Sequence, residues 1–152
     1  RELVGHHVSG LLKIAPEHVS KNVLRLMNKD SGGAFEKFRR AFRKADVSGR
    51  RHLKYYFMVA HPGCGPREAG ELAREVRRLE KEGDRPVEGV QIFTPAPMTL
   101  STAMYHTGRD PRTGESVYVP WTFQEIKDQK RMLMERRPAG ASVRPARRTR
   151  NR

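Results

Sequence analysis

Three short and nearly continuous apolar runs constrain the fold of this chain more than any other feature of its sequence. They are LLKIA at 11–15, YYFMVA at 55–60 and VQIF at 90–93. Such runs are typical of strands covered on both faces of a parallel sheet, because a strand with one face in water alternates apolar and polar residues. A proline follows each run within two residues and ends the predicted strand.

The segments between these runs have the spacing of amphipathic helices. Phe35, Phe38 and Phe42 recur at three- and four-residue intervals opposite basic residues. A second apolar stripe begins after Pro66, which suits the first turn of a helix, and it ends before Gly83. Strands that alternate with helices in this way predict an α/β fold, in which right-handed crossovers join about three parallel strands.

Three strands are few for an independent sheet, because both edges would be left unpaired. We therefore expect a partial (β/α) barrel with flanking helices, which is part of a larger barrel. The sequence predicts that residues 1–120 form this barrel part, that 121–137 form a charged helix, and that 138–152 are a disordered basic tail.

The tail prediction follows from charge. The chain carries a formal net charge of +14, and residues 136–152 contain seven arginines and no acidic residue. Such a segment buries too little apolar surface to offset the entropy of ordering. One interpretation is contact with RNA or another polyanion through phosphate neutralisation, and the other is a solvated terminus.

Cysteine content and hydropathy bear on the compartment. Cys64 is the sole cysteine, so an intrachain disulfide is excluded, and no secretory signal is recognisable at the start. No apolar run approaches the ~20 residues that a membrane-spanning helix needs. These features predict a cytoplasmic protein with no membrane partner. The chain does not begin with methionine, from which we expect a fragment or a processed product.

Polar and special residues follow each predicted strand. Glu17 and His18 follow the first, His61 and Cys64 follow the second, and residues 94–98 follow the third. The carboxyl ends of parallel strands meet at one rim, where such folds bind ligands.

Lys13 shares a face with Glu17 if the first strand continues past Pro16. Their charges fit either an ion pair between the two or two contacts to a zwitterionic ligand that carries a sugar.

Two simpler chemistries find less support. Zinc needs three or four converging ligands, and the rim offers one close pair, His61 with Cys64, so we predict no metal site. A thiol nucleophile is the second possibility, because Cys64 precedes a helix whose dipole would lower its pKa. A buried or incidental cysteine fits the same residues.

Three motifs together resemble a known family. HHVSGLLKIAPEH, then AHPGC at the end of an aromatic strand, then VQIFTPAPMTLSTAMYHTGRDP are similar to the carboxyl-terminal half of the radical-SAM domain in proteins of the YgiQ type. The resemblance covers about residues 1–120. It implies a partial barrel with S-adenosylmethionine and a [4Fe-4S] cluster at the carboxyl ends of the strands.

The resemblance also implies roles for particular residues. It places Lys13 and Glu17 near the ribose and methionine parts of the cofactor. It places a further group along or around the adenine: Val59, Ala60, His61, Gly63, the backbone of Phe93 and Thr94, and the side chain of Met98.

The chain departs from the family in its cysteines. The family holds its cluster with a CxxxCxxC loop, whereas this chain has Cys64 alone, in a different motif. The resemblance therefore implies that the amino-terminal half of the barrel is a missing partner and that this chain alone does not bind the cluster and is inactive. The alternative is a small basic module that binds RNA or another polyanion.

Overall fold

The computed structural model describes residues 2–29, 33–84 and 90–135, and they form an α/β unit. In chain order the elements are α1 (Glu2–His6), β1 (Leu11–Glu17), α2 (Lys21–Leu26), α3 (Ala34–Ala45), β2 (His52–Val59), α4 (Pro66–Lys81), β3 (Val90–Ile92), α5 (Leu100–Thr107) and α6 (Phe123–Met134). The strands form a three-stranded sheet in the order β1-β2-β3, and both pairings are parallel. The predicted fold class is confirmed. The predicted tail at 138–152 lies outside the described residues.

Pairing between β1 and β2 is regular at first and then shifts. Leu11 pairs with His52 and Ile14 with Tyr55, but Glu17 pairs with Phe57, so the register changes between Ile14 and Glu17. Pro16 lies in this interval and has no backbone N–H for the ladder. The strand therefore continues past Pro16 only through an irregularity, and this re-aims its last residue.

One face of the sheet carries the hydrophobic core. Leu53, Tyr55, Phe57 and Val59 alternate along β2 and are almost fully buried. Buried side chains of α3 and α4 complete the same cluster, among them Phe42, Leu72, Val76 and Leu79. The predicted stripe of α4 is thus core. The predicted stripe of α3 is core only in part, because Phe38 is 38% exposed and Arg39 of the predicted basic face is buried.

The opposite face of the sheet is largely exposed among the described residues. Leu11, Lys13 and Ala15 are exposed on β1, whereas Leu12 and Ile14 pack against the core. Tyr56 of β2 is 39% exposed on the same side. The prediction that the strands are covered on both faces is therefore wrong for the described chain, because an apolar run does not specify whether a second layer is present.

Helix α4 begins as its sequence predicts. Pro66 is the first helical residue, and the Glu68 side chain accepts a hydrogen bond from the Gly65 backbone N–H at 3.1 Å. This bond satisfies one of the donors that a helix start leaves unpaired. Among the described residues, no helix is long and apolar enough to cross a membrane.

Candidate functional site

A cavity of about 230 Å³ opens at the carboxyl ends of the three strands. Side chains that follow β1, β2 and β3 all reach it, as expected for a parallel sheet. The lining residues are Glu17, Met27, Lys29, Met58, His61, Phe93, Thr94, Ala96, Thr99 and Ser101. Four residues that the resemblance singled out therefore meet in one place.

Glu17 is the acidic residue among those that line this cavity. Its Oε1 lies 3.2 Å from Nζ of Lys29, which also donates to the carbonyl oxygen of Ala15 at 3.4 Å. Its Oε2 is buried and has no hydrogen-bond partner among the described residues. A buried carboxylate oxygen without a partner is costly, and the hydroxyl groups of a ligand would satisfy it.

The ion pair between Lys13 and Glu17, which the sequence left open, does not form. Lys29 is the cation that pairs with Glu17, and Lys13 lies on the uncovered face of the sheet. The cause is the irregularity at Pro16, which breaks the simple alternation along β1.

Unfavourable backbone conformations mark the same rim. Glu17, Ala60 and Met98 have φ values of 67°, 62° and 63°, in the left-handed region that non-glycine residues rarely adopt. Each follows or ends a different strand. Such conformations cost about 1–3 kcal/mol each and persist where the surrounding structure holds them, typically at binding and catalytic sites.

His61 is held in one tautomer at the wall of the cavity. Nδ1 lies 2.8 Å from the carbonyl oxygen of Pro62, and a carbonyl only accepts, so Nδ1 carries the proton. Nε2, 2.7 Å from Ser101 Oγ, therefore accepts the Ser101 hydroxyl proton. Burial lowers the pKa of His61, which keeps the ring neutral at pH 7. Both ring nitrogens are hydrogen-bonded, so the ring contributes to the wall by packing. The centroids of the His61 and Phe93 rings lie 4.9 Å apart in an edge-to-face arrangement.

The other predicted cofactor residues do not line the cavity. Lys13 faces away on the open side of the sheet, Val59 is buried in the core, and Met98 is fully exposed. Ala60 and Gly63 belong to the loop between β2 and α4, and they flank His61. Contacts from these residues to a cofactor stay predictions.

A buried hydrogen-bond network behind the cavity was missed by the sequence analysis. The Ser20 backbone N–H donates to Nδ1 of His18 at 3.0 Å, so the His18 proton is on Nε2, 3.5 Å from Cys64 Sγ. The Cys64 thiol in turn donates to Oε1 of Gln129 at 3.2 Å. His18 and Gln129 are each 2% exposed. The sequence does not indicate which of these residues meet, because they are far apart in the chain. The position of Gln129 on the inner face of α6 was the one indication that it is buried.

Of the two interpretations of Cys64, the structure supports the buried cysteine and not the activated thiol. The thiol is fully buried, and burial raises its pKa to about 12 rather than lowering it. Desolvation outweighs the favourable field of the α4 amino terminus, because the thiolate would have no access to water. Cys64 is therefore a packed thiol and not an activated nucleophile.

Acid should destabilise the protein through His18. Burial lowers the pKa of His18 from 6.5 to about 4, with a smaller contribution from His61 and an opposing one from Glu68. The unfolded chain then binds more protons below pH 6.5, so stability is complete above that pH and declines towards pH 4. We expect a loss of about 2 kcal/mol in the free energy of unfolding between pH 7 and pH 5.

Urea titrations at pH 5, 6 and 7 measure this loss. The variant His18→Gln should show a flatter pH dependence, whereas His106→Gln, at an exposed position, should behave like the wild type. Equal pH dependence in His18→Gln and the wild type would contradict the assignment.

Metal binding finds no support in the geometry. Within residues 2–29, 33–84 and 90–135, no three His, Cys, Asp or Glu side chains converge as metal ligands. That this chain alone does not bind the cluster stays a prediction.

Comparison with known proteins gives the family context. A protein of Methanocaldococcus jannaschii is 44% identical over 138 residues, or 90% of this chain, and one of Geobacter sulfurreducens is 46% identical over 136 residues, or 88%. Another, of Clostridium perfringens, is 42% identical over 145 residues, or 94% of the chain. The homologues of this chain are UPF0313 proteins. The chain covers 22%, 22% and 21% of the length of these three UPF0313 relatives.

A family model adds a second finding. A domain of unknown function, DUF3362, matches residues 88–141, which include β3, α5 and α6. No solved structure matches the chain. The segment that this domain matches thus includes the loop after β3 and the helix that carries Gln129.

Proposed function

We propose that this chain is the carboxyl-terminal part of a radical-SAM barrel of the YgiQ type and that it supplies one wall of the S-adenosylmethionine site. The observation that carries this proposal is the buried, unpartnered Oε2 of Glu17 in a cavity at the carboxyl ends of three parallel strands. The motifs that resemble the family lie at these strand ends. The similarity to longer UPF0313 proteins supports the same proposal.

The uncovered sheet face also supports a barrel. In a (β/α) barrel the helices cover the outside and the side chains of the strands fill the inside. Here the helices cover one face, and Lys13, Tyr56 and Met58 project from the other. Among the described residues, one edge of β1 has no neighbouring strand. A further set of strands that closes the sheet would pair this edge and would bury the exposed face.

The cavity residues fit the nucleoside part of the cofactor. In this proposal Glu17 accepts hydrogen bonds from the ribose hydroxyls, and Lys29 orients the carboxylate. Phe93 and Met58 provide apolar surface for the purine, with His61 holding Phe93 edge-on. Ligand pockets usually enclose about 300–1,000 Å³, so a cavity of about 230 Å³ is one part of a larger site.

The cluster does not fit the residues described here. A [4Fe-4S] cluster needs cysteine thiolates, and the thiol of Cys64 is buried, protonated and hydrogen-bonded to Gln129. In radical-SAM enzymes, the cluster supplies the electron that starts radical chemistry. We therefore infer that the cluster ligands come from another segment and that this chain alone is inactive.

Binding of S-adenosylmethionine to the ¹⁵N-labelled chain, followed by NMR titration, tests the proposal. Glu17→Gln should weaken binding about tenfold or more, because it removes a charged acceptor from a buried site. Shifts in the wild type should concentrate at the ends of the three strands.

The matched control is Glu71→Gln, which removes a partly exposed carboxylate of α4 that does not line the cavity. Its affinity should equal that of the wild type. The absence of saturable shifts in the wild type, or equal affinities for all three proteins, would refute the proposed site.

A further inference from the structure

Gln129 is a polar side chain in an unusual place. It lies on α6 and is 2% exposed, although glutamine is mostly found at the surface. Its Oε1 accepts hydrogen bonds from the Ala60 backbone N–H at 2.9 Å and from the Cys64 thiol at 3.2 Å. Its Nε2 donates to the backbone carbonyl of Cys64 at 2.6 Å. One side chain therefore satisfies polar groups at both ends of the 60–64 loop.

Backbone hydrogen bonds hold the rest of this loop, from the Cys64 N–H to the His61 carbonyl at 2.8 Å and from the Gly63 N–H to the Tyr118 carbonyl at 2.7 Å, whereas Gln129 bonds its first residue. Ala60 has a φ of 62°, which an alanine adopts only under constraint, and its N–H points to Gln129 and not to a strand neighbour. The following residue, His61, lines the cavity. The conformation that turns His61 towards the cavity is thus set at Ala60.

We propose that Gln129 is a positioning residue, through which α6 clamps the loop between β2 and α4 in the conformation that builds the cavity wall. The inference rests on the proposed cofactor site for its functional consequence. The proposal gives a role to the segment that matches the domain of unknown function. Helix α6 of that segment holds the loop between β2 and α4, which precedes the segment in the chain.

The chemistry of the amide explains why this position is glutamine. The loop presents two donors, the Ala60 N–H and the Cys64 S–H, and one acceptor, the Cys64 carbonyl. A carboxylate would meet the donors but repel the carbonyl, and an apolar side chain of similar size would leave all three unsatisfied. His18 Nε2 also contacts the Cys64 sulfur, at 3.5 Å. Because His18 follows the last residue of β1, this contact connects the clamp to the end of that strand.

Amide hydrogen exchange of the 152-residue chain, read by NMR, tests the clamp. In Gln129→Leu we expect exchange at residues 60–65 to accelerate about tenfold, while exchange in α3 and the first half of β2 stays as in the wild type. Affinity for S-adenosylmethionine should fall about tenfold, since the His61 wall is no longer held. Gln129→Glu, which keeps the acceptor for Ala60, should restore part of both properties.

Gln124→Leu is the matched control, because Gln124 lies on the same helix, is exposed and bonds only to Asp128 among the described residues. It should change neither measurement. Faster exchange throughout the chain, or unchanged loop exchange, would overturn the clamp. Faster loop exchange with unchanged affinity would overturn the positioning role. If the wild type binds no S-adenosylmethionine, the proposed function fails, and loop exchange alone decides whether Gln129 is a clamp.

Discussion

Replacement of Arg39 by alanine is expected to lower the free energy of unfolding by about 3–5 kcal/mol. The guanidinium group is 2% exposed and lies between α3, β2 and the end of α4. It donates to Asp84 at 2.5 Å, to Glu82 at 2.8 Å and to the Tyr55 hydroxyl at 3.1 Å. These bonds raise the pKa of Arg39 above its ordinary value even though burial opposes the charge.

Arg39→Ala lowers the stability this much because Asp84, a hydrogen-bond partner of Arg39, would stay buried. The side chain of Asp84 is only 10% exposed, and the Tyr55 hydroxyl donates to it at 2.8 Å. Without Arg39, the Asp84 carboxylate keeps the hydrogen bond from Tyr55 and one from Arg43 at 3.3 Å, and this half-exposed cation compensates the charge less than the buried Arg39 does. An uncompensated buried charge is what makes the loss of one partner severe.

Arg43 provides a matched control for this experiment. It lies one turn later on α3 and contacts the same two acids, Glu82 at 3.6 Å and Asp84 at 3.3 Å, but its side chain is 46% exposed. Arg43→Ala should therefore cost less than about 1 kcal/mol. Urea unfolding followed by circular dichroism measures both values. Similar losses for the two variants would show that burial of Arg39 is not the reason.

Gly63→Ala is expected to cost about 2–4 kcal/mol, the second large effect. Gly63 has a φ of 88°, where any side chain is strained, and a Cβ at this position would lie 2.3 Å from Cδ1 of Leu26. Leu26 is 2% exposed and has little room to move away. The loop next to His61 would therefore have to shift, so this substitution should disturb the cavity wall as well as stability.

Two further variants separate strain from the clash. Gly83 has nearly the same φ, 87°, and open space around it, so Gly83→Ala should cost only about 1 kcal/mol. Leu26→Ala removes the obstructing atoms. The double variant with Gly63→Ala should then lose at least about 1 kcal/mol less than the sum of the two single losses. Additive losses would mean that Leu26 does not oppose a side chain at position 63.

Much of the fold could be predicted because the relevant signals are local. Pro16 interrupts β1, Pro66 begins α4, and Gly83 follows its end, each through its own backbone chemistry. The apolar spacing of α3 identified Phe42 as core through the helical period, but it did not indicate that Phe38 is exposed or that Arg39 is buried. What the runs could not indicate is that one sheet face stays uncovered among the described residues, since that depends on what packs against it.

The candidate site was predictable only in part. Glu17, His61 and Thr94 were expected at one rim because parallel strands end together, and they line one cavity together with Phe93, which only the resemblance had indicated. The partners of these residues were not predictable: Lys29 pairs with Glu17, and Ser101 donates to His61. Lys29 follows α2 and Ser101 lies in α5, and the positions of these segments over the rim depend on packing and not on strand order.

The amino-acid sequence is sufficient to specify the order of strands and helices and which rim gathers the polar residues, because these properties depend on backbone chemistry and short-range periodicity. It does not fix every boundary, since β1 continues through Pro16 to Glu17. It does not specify which side chains meet across the chain. Gln129 and the 60–64 loop are more than sixty residues apart and are joined because α6 packs on α4 and on the end of the sheet. Likewise, burial and not helix position sets the pKa of Cys64, and burial exists only once distant segments have packed together.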